Sequence, residues 1–191
     1  MNKEGPPIFS VDKHPVYQEY ERKNRISRAI FQMAGFKIGE KIIFEGREVE
    51  ILKFRHTSTF SRNIPAMLIQ SPEEDERVYF SEVLLDEAVN ENSVKQKNNV
   101  GIDKKEMENT SRESFEMAGF KIGDNIVYKT DKNKTINCKV NSFGIEIRNG
   151  RNVPVAYISS YLATVENKIK NKAVTLVELC RDNILEKSTK K

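Results

Sequence analysis

The chain has 191 residues, with 32 lysines and arginines, 28 aspartates and glutamates, and 38% hydrophobic side chains. That is enough for one medium domain or two small ones with modest cores. No apolar run reaches the length of a membrane-spanning helix and none follows Met1, so neither a membrane span nor a secretory signal is expected.

Cys138 and Cys180 are the only cysteines. With no leader, they point to a reducing, cytoplasmic setting, one in a strand core and the other on a helix face. Charge is uneven. Residues 1–90 carry 13 basic and 15 acidic side chains, and residues 91–191 carry 19 and 13. The second half is therefore the better candidate for an anionic partner.

In chain order, residues 1–13 contain Pro6-Pro7 and read as a tail. A helix is predicted from Pro15, a favourable first-turn residue, to Met33. Its apolar stripe is Val16, Tyr20, Ile26, Ile30, Phe31 and Met33. Arg22, Lys23, Arg25 and Arg28 lie along it, and this cluster is either a solvated face or a surface for phosphates.

The helix ends in the string MAGFKIG, Met33–Gly39, which recurs as Met117–Gly123. Ser27-Arg28, Phe31 and Ile42 recur in step as Ser111-Arg112, Phe115 and Ile126. The chain is therefore an internal duplication. Gly35 and Gly119 suit the left-handed position just past a helix, and Phe31–Phe36 and Phe115–Phe120 then fall at the hydrophobic contact of a Schellman motif.

Strands are predicted at Lys41–Glu45, Glu48–Phe54, Ile64–Gln70 and Arg77–Phe80, with a polar loop over Arg55–Asn63. An acidic tip follows at Glu73–Glu76, and a helical turn at Ser81–Leu85. Residues 14–89 make the first unit and 90–103 the linker. The second unit, 104–165, repeats the plan. Thr110 and Glu113 are spaced as a capping box. Strands are expected at Asn125–Lys129, Thr135–Val140, Gly144–Arg148 and Val153–Ile158, with a hairpin turn at Asp131–Lys134 and a type I′ turn at Asn149-Gly150. Ala156–Leu162 is matched to Val78–Leu84. Leu162, Val165, Ile169, Ala173, Leu176, Cys180 and Ile184 then predict an amphipathic helix over 166–187 without a counterpart in the first unit. It would pack on the β units or pair two chains into a homodimer. A basic tail, 188–191, ends the chain.

The turn-and-hairpin stretches Lys37–Lys53 and Lys121–Val140, with Gly46 between the first pair of strands, resemble tandem SH3-like small barrels of the KOW type. The resemblance covers only the β portions. It implies an α+β fold of two duplicated helix-plus-small-β-barrel units followed by a C-terminal helix. It also implies binding to DNA, RNA or protein without catalysis.

No residue set spells a catalytic or metal chemistry. His14 and His56 are isolated, no C-x-x-C or H-E-x-x-H occurs, and no phosphate loop is present, so no enzyme activity, cofactor or metal is expected. The candidate nucleic-acid contacts are Lys53, Arg55, Phe60 and Arg62 in the first unit. In the second they are Lys121, Lys139, Phe143, Arg148 and Arg151. Cations beside an exposed aromatic grip single strands by phosphate pairing and stacking; alternatively Phe60 and Phe143 cap the cores. Arg62-Asn63-Ile64-Pro65 resembles Arg151-Asn152-Val153-Pro154, but the predicted strands place the two on opposite sides of the third strand, which reads as coincidence. The alternative function is a protein-binding adaptor or inhibitor acting through the C-terminal helix or strand edges. The composition also suits a phage or bacterial accessory protein.

Overall fold

A computed structural model describes residues 14–71, 79–94, 103–130, 134–160 and 169–183. Within them the fold is mixed α+β, and each repeat runs helix, four antiparallel strands, short helix. The first repeat is α1 (Pro15–Met33), β1 (Lys41–Phe44), β2 (Arg47–Thr59), β3 (Arg62–Ser71), β4 (Tyr79–Leu84) and α2 (Leu85–Glu91). The second is α3 (Lys104–Met117), β5 (Asn125–Lys129), β6 (Thr135–Arg148), β7 (Arg151–Ser160), β8 (Lys172–Thr175) and α4 (Leu176–Asp182).

The repeated string builds the helix-to-sheet joint in both copies. Gly35 has φ +83° and Gly119 has φ +86°. Gly35 N–H donates to Gln32 O and Phe36 N–H to Phe31 O, each at 2.9 Å, and Gly119 and Phe120 repeat both bonds to Glu116 O and Phe115 O. This is the Schellman pattern the spacing predicts. All four phenylalanines are buried, and Phe31 meets Phe36 edge-to-face at 6.1 Å. The following turn is also shared. Glu40 and Asp124 accept from the backbone of Lys37 and Lys121, and Gly39 and Gly123 donate to Ile51 O and Val140 O. Those two residues immediately precede a β-bulge in β2 and in β6.

Several sequence expectations are corrected. The polar stretch Arg55–Asn63 is no loop: β2 continues to Thr59, turns at Phe60-Ser61 (φ 54° and 57°), and returns as β3. In the second repeat, the two strands expected between Thr135 and Arg148 are one bulged strand, β6, which turns at Asn149-Gly150. Two long hairpins are thus equivalent, one closed by an Asn-Gly turn and the other by a costlier Phe-Ser turn. Asp103 caps α3, whereas Thr110 and Glu113 lie inside the helix. The strand expected at Arg77–Phe80 is observed from Tyr79 and extends to Leu84, where a helical turn was expected.

The proposed C-terminal helix is overturned within its described part. Lys172–Thr175 is a strand on β7, and Leu176–Asp182 is a two-turn helix capped by Thr175 and Glu178. These are the counterparts of β4 and α2, so Ala156–Ser160 matches the third strand of the first repeat and not its fourth. A period-two strand followed by a short helix had mimicked one long helical stripe. Neither four-stranded sheet closes: the orders are β1-β2-β3-β4 and β5-β6-β7-β8, so closed barrels are not formed. The expected tail 1–13, residues 95–102 of the expected 90–103 linker (whose first residues close α2), the acidic tip Glu73–Glu76, the turn residues 131–133, the tail 188–191 and the outer parts of the 166–187 helix lie outside the described residues.

The two repeats share their cores. Val153 and Met117 of the second repeat pack in the cluster centred on Phe31, Phe36 and Phe54. Reciprocally, Ile64, Ala66 and Leu84 of the first pack in the cluster around Phe115, Phe120 and Ile158. α1 lies against α3 and reaches β7, while α3 reaches β3.

Candidate functional site

Arg62 and Arg151 open β3 and β7 at equivalent positions, so the shared Arg-Asn-Ile/Val-Pro string belongs to the duplication. Both arginines are buried. Arg151 crosses into the first repeat, where Nη1 donates to Ala34 O at 2.9 Å and Nε to Asn92 O at 2.7 Å, with the guanidinium 3.9 Å from the Phe36 ring centre. Arg62 makes the mirror contact in the second repeat, with Ala118 O at 2.7 Å, Asn183 O at 3.0 Å and the Phe120 ring at 4.1 Å. Each guanidinium sits at the C-terminal ends of two helices, where unpaired carbonyls concentrate negative potential. The aromatic face adds a cation–π contact. Burial pushes both arginines' pKa values below the usual range.

Two of the carbonyls they reach belong to Asn92 and Asn183, whose side chains are themselves anchored. Asn92 Oδ1 accepts from Ile43 N–H and its Nδ2 donates to Ile43 O, so one side chain covers part of the β1 edge. Asn183 does the same to Val127 on β5. Sequence reading missed this pair, because aligning the two repeats through their Arg-Asn-Ile/Val-Pro strings leaves the two asparagines two residues out of register.

The other predicted contact residues separate into occupied and open. Phe143 stacks on Phe115 at 4.6 Å, as its counterpart Phe54 stacks on Phe31 at 5.1 Å. Phe60, at the hairpin tip, packs half-buried against the second core. Arg55 pairs with Glu82 at 3.1 Å. Arg148 lies between Glu146 and Glu178 and reaches Ala173 O. Lys53, Lys121 and Lys139 are exposed.

Lys139 lies on the outward face of the second sheet. Ile126, Tyr128, Cys138, Val140 and Ile158 point inward, so the outward positions are Asn125, Val127, Lys129, Asn137, Lys139 and Ser159. Register supports the grouping: Lys139 sits between Asn125 and Ser159, and Val127 lies opposite Asn137. Across residues 125–129, 135–142 and 156–160 there are two lysines and no carboxylate. The matching part of the first sheet mixes Lys41, Arg47 and Lys53 with Glu48 and Glu50, and Lys41 is paired to Glu48 at 2.8 Å. Lys121 is near this face through its turn, since Lys139 packs beside Gly123.

A cleft of about 250 Å³ lies between the repeats, lined by Asp86, Arg148, Thr175, Glu178 and Arg181 among others. Asp86 accepts from Thr175 Oγ1, a contact whose symmetry-related positions are the apolar Val177 and Leu84. Burial pushes the Asp86 carboxyl up to about 6, with Glu178 adding to the rise and Thr175, Arg148 and Arg181 opposing it. His56 is half-buried against Asn24 and Tyr20, and burial lowers its pKa, with Lys23 and Arg55 acting the same way. Among the described residues no cluster of His, Cys, Asp and Glu could hold a metal, and no helix is long and apolar enough to cross a membrane.

No protein-family model, curated protein or solved structure matches the chain.

Proposed function

We propose that the protein is a non-enzymatic nucleic-acid-binding protein that contacts the phosphate backbone through the outward face of its second sheet. The observation that carries this reading is the contrast between two equivalent sheets. Over residues 125–129, 135–142 and 156–160 one presents lysine and asparagine without a carboxylate, and the matching part of the other presents mixed charge. Glu146 lies farther along β6, and Asp182 accepts from the Lys129 backbone at the sheet edge. Folding requires apolar residues at the equivalent inward positions of both sheets, so it does not account for the difference outside. Lys129 and Lys139 supply charge, with Lys121 at the adjoining turn, while Asn125, Asn137 and Asn141 supply hydrogen-bonding amides. Arg62 and Arg151 hold the repeats together in this reading and take no part in the contact. Phe60 and Phe143 are turned to the cores, so binding rests on the backbone more than on stacked bases.

Fluorescence anisotropy with labelled DNA and RNA at about 50 and 200 mM salt tests the reading. Binding should weaken as salt rises, and Lys129→Glu with Lys139→Glu should weaken it at least about ten-fold at the lower salt. Unchanged affinity in that double variant removes the sheet face from the site. Absence of binding to every polymer at the lower salt rejects the function itself, leaving an adaptor that binds protein as the alternative.

A further inference from the structure

α1 and α3 do the same packing work and yet present opposite surfaces. Ser27, Phe31 and Met33 are buried as Ser111, Phe115 and Met117 are. α1 nevertheless has 19 residues to the 14 of α3. Outside the buried stripe, α1 carries Arg22, Lys23, Arg25 and Arg28 against Glu19 and Glu21. α3 carries Glu106, Glu108, Glu113 and Glu116 against Lys104, Lys105 and Arg112. Packing explains the shared residues, and Glu113 and Glu116 of α3 act electrostatically on Arg22 of the neighbouring α1, but neither accounts for the extra length of α1 or for Arg25 and Arg28.

An open groove of about 510 Å³ runs along α1, lined by Gln18, Glu21, Arg22, Asn24, Arg25 and Arg28. Arg22 is held by Glu19 through two hydrogen bonds of 2.8 and 2.9 Å. Arg25 and Arg28 are exposed, and neither has an ion-pair partner among the described residues. They are three residues apart on one helix face and so about 4.5 Å apart along the axis. Gln18, Arg22, Arg25 and Arg28 follow at spacings of four, three and three residues, a polar row that winds part-way around the helix. No aromatic lines the groove itself, the exposed Tyr17 and Tyr20 of α1 lying outside its lining. A single strand is gripped by cations together with stacking platforms. A row of cations on a rigid helix instead suits the fixed phosphates that border a duplex groove.

We propose that the exposed face of α1 is a contact helix for double-stranded nucleic acid, with Arg25 and Arg28 on phosphates and Gln18 and Arg22 beside them. The inference rests on the nucleic-acid reading above and narrows its ligand to a duplex. Glu21 lies four residues before Arg25 on the same face, where its carboxylate opposes an approaching phosphate and restrains affinity.

Anisotropy titrations of the full chain with a labelled 20-base-pair duplex and with its single strand test the proposal, again at about 50 and 200 mM salt. Arg25→Gln with Arg28→Gln should lower duplex affinity about ten-fold or more and reduce the salt slope by nearly 2, the value for two lost phosphate contacts. Glu21→Gln should raise duplex affinity. Both variants should keep the circular dichroism and melting temperature of the parent, because all three positions are exposed. If the arginine variant binds the duplex as the parent does, or Glu21→Gln weakens binding, the α1 proposal is overturned. A parent that binds the single strand more tightly than the duplex also overturns it. In each of those cases the sheet-face reading stands or falls separately, on the Lys129 and Lys139 variant. If the parent binds neither polymer, both readings fail together.

Discussion

At the scale of single residues, two positions combine local geometry with a cross-repeat contact. Gly119 has φ +86°, and a Cβ there would lie 3.3 Å from Nη1 of Arg62. Gly119→Ala should therefore destabilise by about 1–2 kcal/mol, through backbone strain and a displaced guanidinium. Chemical denaturation of the variant measures it, and a loss below about 0.5 kcal/mol would contradict the account. Asp86 gives a pH-dependent prediction. Its folded pKa of about 6 lies above its ordinary value of 3.8, so the fold favours the protonated form. Its contribution to stability is thus greatest below pH 4 and declines as pH rises through 6, where a buried carboxylate must ionise and Glu178 across the cleft adds to the cost. Arg148 and Arg181 temper that cost without removing it. Asp86→Asn should stabilise the protein by roughly 2–3 kcal/mol at pH 7.5 and by little at pH 4. Denaturation of both proteins at the two pH values checks the sign. An equal effect at both would show that Asp86 is not the titrating group.

At the scale of elements, what the sequence made legible was local and duplicated. Phe31, Gly35 and Phe36 lie within six residues, so spacing alone identifies their motif, and the second copy repeats it. The Asn149-Gly150 turn was legible for the same reason. The Phe60-Ser61 turn was not, because both residues take positive φ without the usual glycine or asparagine and the strands around it are polar. β8 and α4 were misread because apolar residues at Ala173, Leu176 and Cys180 keep helical spacing across a strand-to-helix junction. Only the tertiary pairing of Lys172–Thr175 with Val155–Ile158 separates the two. The hairpin tips also bear on stability. A Cβ on Gly150 would collide with the backbone carbonyl of Val94, which belongs to the segment following α2, and Val94 N–H donates to Asn149 O. Gly150→Ala should cost about 2–3 kcal/mol, more than a turn substitution without a neighbour. Gly46→Ala is the matched control. It also has positive φ, but a Cβ there meets nothing within 4 Å, so its loss should be the smaller of the two by denaturation.

At the scale of the whole molecule, two tandem units suggest two independent transitions, and the contacts between these repeats argue for one. Val153 and Ile64 each complete the other repeat's core, and the arginine that opens each strand closes two helix ends across the junction. None of these contacts forms within a single repeat. Opening one repeat therefore exposes apolar surface and leaves buried carbonyls unpaired in the other. The chain should unfold as one cooperative unit, with coincident denaturation curves from circular dichroism and tyrosine fluorescence. The arginines make the coupling testable from either side. Arg151→Met keeps much of the side chain's bulk but leaves Ala34 O and Asn92 O without their donor, at a cost of roughly 2–4 kcal/mol. Although Arg151 belongs to the second repeat, hydrogen exchange should accelerate in β2 and β3 as much as in β6 and β7. Acceleration confined to one repeat, or two separate unfolding transitions in the parent protein, would show that the repeats are joined in sequence but energetically independent.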